Sequence, residues 1–255
     1  MRLFPRTPVH QFRWLNLVIL VIATLWYLAT WWLPARPVAA LILCGVMVGG
    51  LLLWISHWEG LHRPRWIPLV NLIILTVAMV GAVIFADGPS TQRTIAVLGA
   101  VLLGLMLRHD SRDIVTPEFR RVGVFIMTLT LWLAWISLLG AAIFFNLKWW
   151  WLAPLAMVTM MAVSSMIWTD GGVPLHRWRL FLFPIAVFAL ELYTIIWWLP
   201  TSILVGSIVA TTISILVFNA SRHLLLGHWE AGRGRRYLLI GSFIMIISLV
   251  TARWI

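Results

Sequence analysis

The sequence is poor in acidic residues and in cysteine. Only eight aspartates and glutamates occur in 255 residues, and charged residues of both signs make up 11% of the chain. Soluble proteins contain about 25% charged residues, so the polar surface of an ordinary soluble domain is missing here. A single cysteine, Cys44, excludes an intramolecular disulfide. The composition therefore argues against a soluble globular domain and against a disulfide-bonded scaffold.

Motifs of several enzyme classes are also missing. The sequence contains no G-x-S-x-G, no H-E-x-x-H, no phosphate-binding P-loop and no C-x-x-C. Asp110 and Asp113 come closest to the paired aspartates of magnesium-dependent prenyl transfer, but they form one short Asp-x-x-Asp between arginines. No cofactor is indicated. The sequence leaves enzymatic activity open and favours a non-catalytic protein.

Long apolar runs dominate the chain. Hydrophobic residues make up 62% of it, and the mean hydropathy is +0.97. Because about 20 apolar residues cross the hydrocarbon core as a helix, such runs predict membrane spans. We predict an all-α, multi-pass membrane protein with nine spans, the fourth of them short: Trp14–Leu33, Val38–Ile55, Ile67–Ala86, Thr94–Leu107, Val122–Phe145, Trp149–Trp168, Leu180–Leu199, Ser202–Asn219 and Tyr237–Trp254. We expect one transmembrane domain over residues 1–255, without a soluble domain and with a retained first helix.

Basic residues fall mainly in alternate connections between the predicted spans. Fifteen of the nineteen lysines and arginines lie on one side, and only Arg36, Arg93, Lys148 and Arg253 lie on the other. This positive-inside asymmetry predicts a cytoplasmic N-terminus and an external C-terminus, most simply in a prokaryotic inner membrane. Most of the eighteen tryptophans fall near predicted span ends, which is typical of aromatic belts. Topology alone accounts for the net charge of +11, so nucleic acid is not an expected partner.

The arginines of the inner connections form a candidate surface for anionic lipid headgroups. A planar guanidinium matches the oxygens of a phosphate, and anionic headgroups attract such clusters. The candidate residues are Arg63, Arg65, Arg120, Arg121, Arg177, Arg179, Arg233, Arg235 and Arg236.

One ionisable residue, Glu191, lies at predicted bilayer depth, about two turns from the outer end of the seventh span. Ionisable groups at this depth are costly and often functional, so we expect Glu191 to face other helices. It is either hydrogen-bonded there or carries protons or cations. A weak repeat, Trp31–Pro34 against Trp197–Pro200, is of a kind that occurs in some transporters.

Two stripes of small residues predict close helix contacts, either internal or with a partner chain. Small side chains let helix backbones approach each other. The first stripe is Gly45 and Gly49, and the second is Ser202, Gly206, Ala210 and Ser214.

Two histidine pairs carry a nearby carboxylate. His57 and His62 flank Glu59, and His223 and His228 precede Glu230. Imidazole and carboxylate ligands suit iron or zinc. In spacing, the pairs loosely resemble the cytoplasmic histidine boxes of membrane-bound di-iron desaturases and hydroxylases, which implies a lipid-modifying metalloenzyme. Those enzymes carry adjacent His-His pairs, whereas this sequence has none.

Three functions therefore remain. The leading one is a non-catalytic membrane subunit or scaffold that packs against partner proteins, or against copies of itself, through its helices. Such a subunit presents an arginine-rich cytoplasmic face to anionic lipid or to a partner. The second is a small transporter or lipid carrier that uses Glu191, and the third is the metalloenzyme.

Overall fold

The computed structural model describes residues 9–32, 42, 44–46, 49–50, 66–86, 88–110, 117–227 and 231–250. These residues contain helices and turns but no strand. The helices, numbered here in chain order, are α1 (Val9–Trp32), α2 (Trp66–Ile84), α3 (Pro89–Asp110), α4 (Pro117–Phe144), α5 (Trp149–Asp170), α6 (Leu175–Trp178), α7 (Leu182–Trp198), α8 (Ile203–Leu225) and α9 (Ala231–Val250). A 3-10 turn, Arg179–Phe181, joins α6 to α7.

Five stretches are long and apolar enough to cross a membrane. They are Pro89–His109, Arg121–Phe144, Trp149–Asp170, His176–Trp198 and Ile203–Leu225. Shorter apolar segments lie within α1 and α2. An all-helical fold with several candidate spans is therefore confirmed, and it indicates a multi-pass membrane protein. The count of nine spans stays a prediction, and most of the second predicted span, Val38–Ile55, lies outside the described residues.

Helix α3 is longer than the short fourth span, Thr94–Leu107, that the sequence predicts. It begins at Pro89 and runs for 22 residues. Gly88 has a φ of +81°, which a glycine adopts without strain, and Pro89 follows it at the first helical position. The side-chain amide of Gln92 donates to the Ala86 carbonyl oxygen at 3.3 Å. The polar residues of this segment therefore form the first turns of the helix and not a loop.

Two other local signals are confirmed where the structure describes them. Helix α4 begins at Pro117, as the Thr116-Pro117-Glu118 motif predicts, although Thr116 itself lies outside the described residues. Helix α5 ends at Asp170, and the turn that the Asp170-Gly171-Gly172 motif predicts follows it, with Gly172 at a φ of +81°.

Helix α4 occupies the middle of the bundle, where it packs against α2, α3, α5 and α8. The approach of α2 to α4 is close, since a Cβ on Gly81 would lie 2.5 Å from the Ser137 hydroxyl oxygen. That hydroxyl donates to the Ala78 carbonyl oxygen of α2 at 2.6 Å. Close packing and an interhelical hydrogen bond are the terms that hold helices together within a bilayer.

The buried serine and threonine hydroxyls that the structure describes donate hydrogen bonds within their own helices. Thr130 donates to the Ile126 carbonyl oxygen at 2.9 Å, and Ser214 donates to that of Ala210 at 2.6 Å. Such bonds to the carbonyl four residues earlier satisfy a hydroxyl where water is absent. These residues therefore add polarity to the core without forming an open polar path.

Candidate functional site

A buried polar cluster lies where α3, α5 and α8 end and α4 begins. His109 is the penultimate residue of α3, and Asp170 is the last residue of α5. His109 Nε2 lies 3.5 Å from Asp170 Oδ2, and each side chain is only 3% exposed. The pair is within ion-pairing distance when the imidazole is protonated. We call this end of the bundle the basic end, because Arg108, Arg121 and Arg222 also lie there.

The pair fits against α4 only because residue 123 is glycine. A Cβ on Gly123 would lie 2.6 Å from Asp170 Oδ2 and 2.6 Å from His109 Nε2. Real Cβ atoms do not approach other atoms so closely. The backbone of α4 therefore forms one wall of the cluster and excludes water from that side.

Helix α8 closes the cluster from another side. The indole Nε1 of Trp168 donates to the Phe218 carbonyl oxygen at 3.1 Å and contacts Ser221 Oγ at 3.2 Å. The Arg222 side chain packs directly on Gly171, where a Cβ would overlap it. A guanidinium is thereby held beside the residue that follows Asp170. The C-terminal end of α5, from Trp168 to Gly171, thus packs against the last turns of α8 and donates hydrogen bonds to them.

The segment that follows α5 strengthens the same connection. Arg177, in the short helix α6, donates from Nη1 to the Leu225 carbonyl oxygen at 3.1 Å. Leu225 is the last residue of α8, so the arginine satisfies one of the carbonyl groups that a helix leaves open at its C-terminus. Trp178, the last residue of α6, is buried, while His176 and Arg179 are exposed.

Chemically, the cluster combines a carboxylate, an imidazole and a nearby guanidinium in a dry location. The negative carboxylate of such a group is compensated by the positive guanidinium near it. The group connects α3, α4, α5 and α8 at one end of the bundle. Within the described residues, no three side chains among histidine, cysteine, aspartate and glutamate come together as a metal site. His109 and Asp170 supply two ligand types, whereas a catalytic zinc site uses three protein ligands.

Neither His109 nor Asp170 stands out in the sequence. Both stand at the ends of apolar runs, where a polar residue is normally solvated. The Asp170-Gly171-Gly172 motif predicts only a turn. Gly123 was the available signal, because a glycine inside a helix is unfavourable unless something approaches it closely. That signal does not identify what approaches.

Glu191 lies on α7 with an exposed side chain. It does not face the other described helices of its own chain, so the expected contact within the bundle is absent. The buried side of α7 carries Ile185, Ala189, Leu192 and Tyr193 instead. Helix α7 is apolar on every side, so hydropathy indicates the depth of Glu191 but not its direction.

The second stripe of small residues lies along α8. Gly206, Ala210 and Ser214 are buried, and a Cβ on Gly206 would lie 3.2 Å from Leu139 Cδ1 of α4. Ser202 caps α8, and its hydroxyl accepts a hydrogen bond from the backbone N–H of residue 205 at 3.4 Å. This stripe faces its own chain.

The first stripe, Gly45 and Gly49, does not make a comparable contact in the described structure. Gly45 is exposed and Gly49 is partly exposed, and nothing lies within 4 Å of a Cβ built on either glycine. In the part of the chain that the structure describes, the close contact predicted at these two glycines is absent.

Most of the predicted metal ligands fall outside the described residues. His57, His62 and His228 lie there, while His223 lies on α8 and is partly buried. The convergence of the two histidine pairs therefore stays a prediction.

The predicted lipid-binding arginines are divided in the same way. Arg63 and Arg65 lie outside the described residues, and Arg120 and Arg233 lie in α4 and α9. The others have exposed side chains, and they are Arg121, Arg177, Arg179, Arg235 and Arg236.

Comparison of the chain with known protein families, curated proteins and solved structures gave no match. The function proposed below therefore depends on the geometry of the chain itself.

Proposed function

We propose that this chain is a non-catalytic membrane subunit or scaffold, one transmembrane domain that associates with partner membrane proteins or with copies of itself through its helices. The outward position of Glu191 on α7 carries the proposal. An acid that faces hydrocarbon is unfavourable, so a surface that retains one at this depth is better explained as a protein contact than as a lipid contact.

A small cavity within the described part of the bundle agrees with the same proposal. The cavity between α4, α7 and α8 has a volume of about 110 Å³. Pockets for small ligands typically enclose roughly 300–1,000 Å³, so this space is too small for a lipid. Leu139, Ile196 and Gly206 contribute to its apolar wall. A carrier that uses Glu191 has less support, because the side chain points away from the bundle.

The basic end supports the second part of the proposal, in which this end faces the cytoplasm and anionic lipid. Arg177 and Arg179 lie in a short segment between α5 and α7, together with the exposed Leu180 and the buried Trp178. A segment that combines exposed arginines with an exposed leucine suits the headgroup region of a membrane. The N-in, C-out orientation follows from the positive-inside asymmetry.

Chemical cross-linking in native membranes tests the proposal. We expect the chain to be recovered in a species of higher mass, and we expect Glu191→Leu to reduce that species. Val101→Leu is the matched control, because Val101 is also exposed, at 53%, and lies on α3, which packs against α1, α2 and α4. Recovery of the chain only as a monomer, before and after cross-linking, would contradict the proposal.

A further inference from the structure

The cavity between α4, α7 and α8 lies at the end of the bundle away from the basic end. Helix α8 reaches the basic end at Leu225, whereas its first residue, Ile203, lines the cavity. Trp197 and Leu199, at the end of α7, line it as well. One candidate span ends and the next begins at this point, so the cavity lies near a surface of the membrane and not at its middle. Groups with a polar and an apolar part favour this depth.

Gly206 sets the size of the cavity. A Cβ at this glycine would lie 3.2 Å from Leu139 Cδ1, 3.4 Å from Ile196 Cγ2 and 3.4 Å from Thr201 Oγ1. All three of these residues line the cavity. A side chain at position 206 would therefore stand among the lining residues and reduce the space between them.

Two residues that line the cavity, Thr201 and Ser202, carry hydroxyl groups. Ser202 Oγ accepts a hydrogen bond from the backbone N–H of residue 205 at 3.4 Å, and this bond does not use the hydroxyl proton. Within the described part of the chain, neither hydroxyl donates to a protein group, whereas that of Thr211 donates to the Ser207 carbonyl oxygen at 2.7 Å. Because a hydroxyl group both donates and accepts, Thr201 and Ser202 can each donate to the oxygen atom of a ligand.

The rest of the cavity wall is apolar, with Leu139, Ile143 and Leu199 among its residues. Of the described residues that line the cavity, none is charged. A buried water molecule needs two to four polar partners, so water suits the two hydroxyls but not the apolar wall. A cavity of about 150 Å³ holds benzene, so the volume here, about 110 Å³, suits roughly four to six non-hydrogen atoms.

We propose that this cavity binds a small uncharged amphiphile, such as a short-chain alcohol, which enters from the membrane. Its oxygen atom accepts hydrogen bonds from Thr201 and Ser202, and its hydrocarbon part packs against Leu139 and Ile196. This inference goes beyond the proposed function, because a subunit or scaffold does not need a small ligand.

Protection of a cysteine in the cavity wall tests the binding. With Cys44→Ser as background, Leu199→Cys is reacted with a small methanethiosulfonate in the purified protein, reconstituted in lipid. We expect butanol to slow this reaction in a saturable way. Octanol at the same concentration in the membrane should protect less, because it exceeds the size of the cavity. Val101→Cys is the control, since Val101 is 53% exposed on α3 and does not line the cavity.

Further variants identify the binding chemistry. Gly206→Ala should weaken butanol binding at least about fivefold, because the added methyl group occupies part of the cavity. Gly104→Ala, where a Cβ meets only ordinary contacts, should leave it unchanged. Thr201→Val and Ser202→Ala should each weaken it about two- to tenfold, the effect of one hydrogen bond. Neither should change the binding of pentane, which has as many non-hydrogen atoms as butanol and no oxygen. Circular dichroism checks that each variant is folded.

The contrary outcomes are distinct from one another. Protection that increases with chain length, or that is equal at Leu199→Cys and Val101→Cys, would show a general effect on the membrane and would overturn the inference. A lack of protection by butanol would overturn it as well. Equal loss of butanol and pentane binding in Thr201→Val would overturn the role given to the hydroxyl groups. None of these results bears on whether the chain associates with partner proteins.

Discussion

Replacing Gly123 with alanine is the most direct test of the buried cluster at the basic end. The added Cβ would lie 2.6 Å from both Asp170 Oδ2 and His109 Nε2. Both side chains are 3% exposed, so neither can move into solvent without opening the bundle. The substitution adds one methyl group and removes no polar atom.

The expected loss of stability combines two terms. Overpacking a well-filled core costs about 1–3 kcal/mol. Leaving buried polar atoms without their partners costs about 1–3 kcal/mol, and displacement of the pair by a methyl group should cost part of that. Alanine regains up to about 1 kcal/mol because it favours a helix more than glycine does. We therefore expect Gly123→Ala to lower the free energy of unfolding by about 1–4 kcal/mol.

Gly104→Ala in α3 is the matched control. A Cβ there would lie 3.6 Å from Ile19 Cγ2 and 3.9 Å from Ala23 Cβ, which are ordinary contact distances. This variant should be as stable as the parent or more stable by up to about 1 kcal/mol. Reversible unfolding in detergent micelles, followed by circular dichroism, measures both variants.

A second variant separates the pair from simple crowding. If Gly123→Ala acts by displacing the carboxylate from the imidazole, its effect should not add to that of Asp170→Asn, because residues in one network are coupled. Stability of Gly123→Ala equal to that of Gly104→Ala would refute the reasoning. It would mean that α4 does not form a wall of the cluster.

Three further predictions concern other parts of the chain. Gly206→Leu should destabilise the bundle by more than about 1 kcal/mol, because its Cβ would already lie 3.2 Å from Leu139 Cδ1, and thermal unfolding in detergent measures this. Trp168→Phe should cost about 1–3 kcal/mol in the same assay, because it removes the indole contacts with the Phe218 carbonyl oxygen and with Ser221. A reporter fused to the C-terminus should be active only outside the cytoplasm, since the basic residues predict N-in and C-out.

Each of these predictions has a control or a contrary outcome. Gly45→Leu should be tolerated, because nothing lies within 4 Å of a Cβ built at that exposed position. Equal destabilisation by the two leucine substitutions would contradict the role given to Gly206. Trp151→Phe should be silent, since Trp151 is 69% exposed. A C-terminal reporter active only in the cytoplasm would reverse the orientation.

The all-helical class and some helix ends follow from the sequence alone. Run length and hydropathy were sufficient for helices that cross a membrane, because a helix must satisfy its backbone internally and needs about 20 residues to do so. The start of α4 at Pro117 and the turn at Gly172 also followed from local chemistry. Proline fixes its own φ near the helical value, and glycine adopts a positive φ without strain.

Which side of each helix is buried cannot be predicted from hydropathy and is seen only in the packed bundle. In a soluble helix the apolar side marks the core, but in a bilayer both the core and the lipid surface are apolar. Hydropathy therefore placed Glu191 within a candidate span and could not show that its side chain points away from the bundle. For the same reason it gave no sign that His109 and Asp170, from different helices, meet against Gly123. Such contacts depend on how helices pack against one another, which is a property of the assembled bundle and not of any single span.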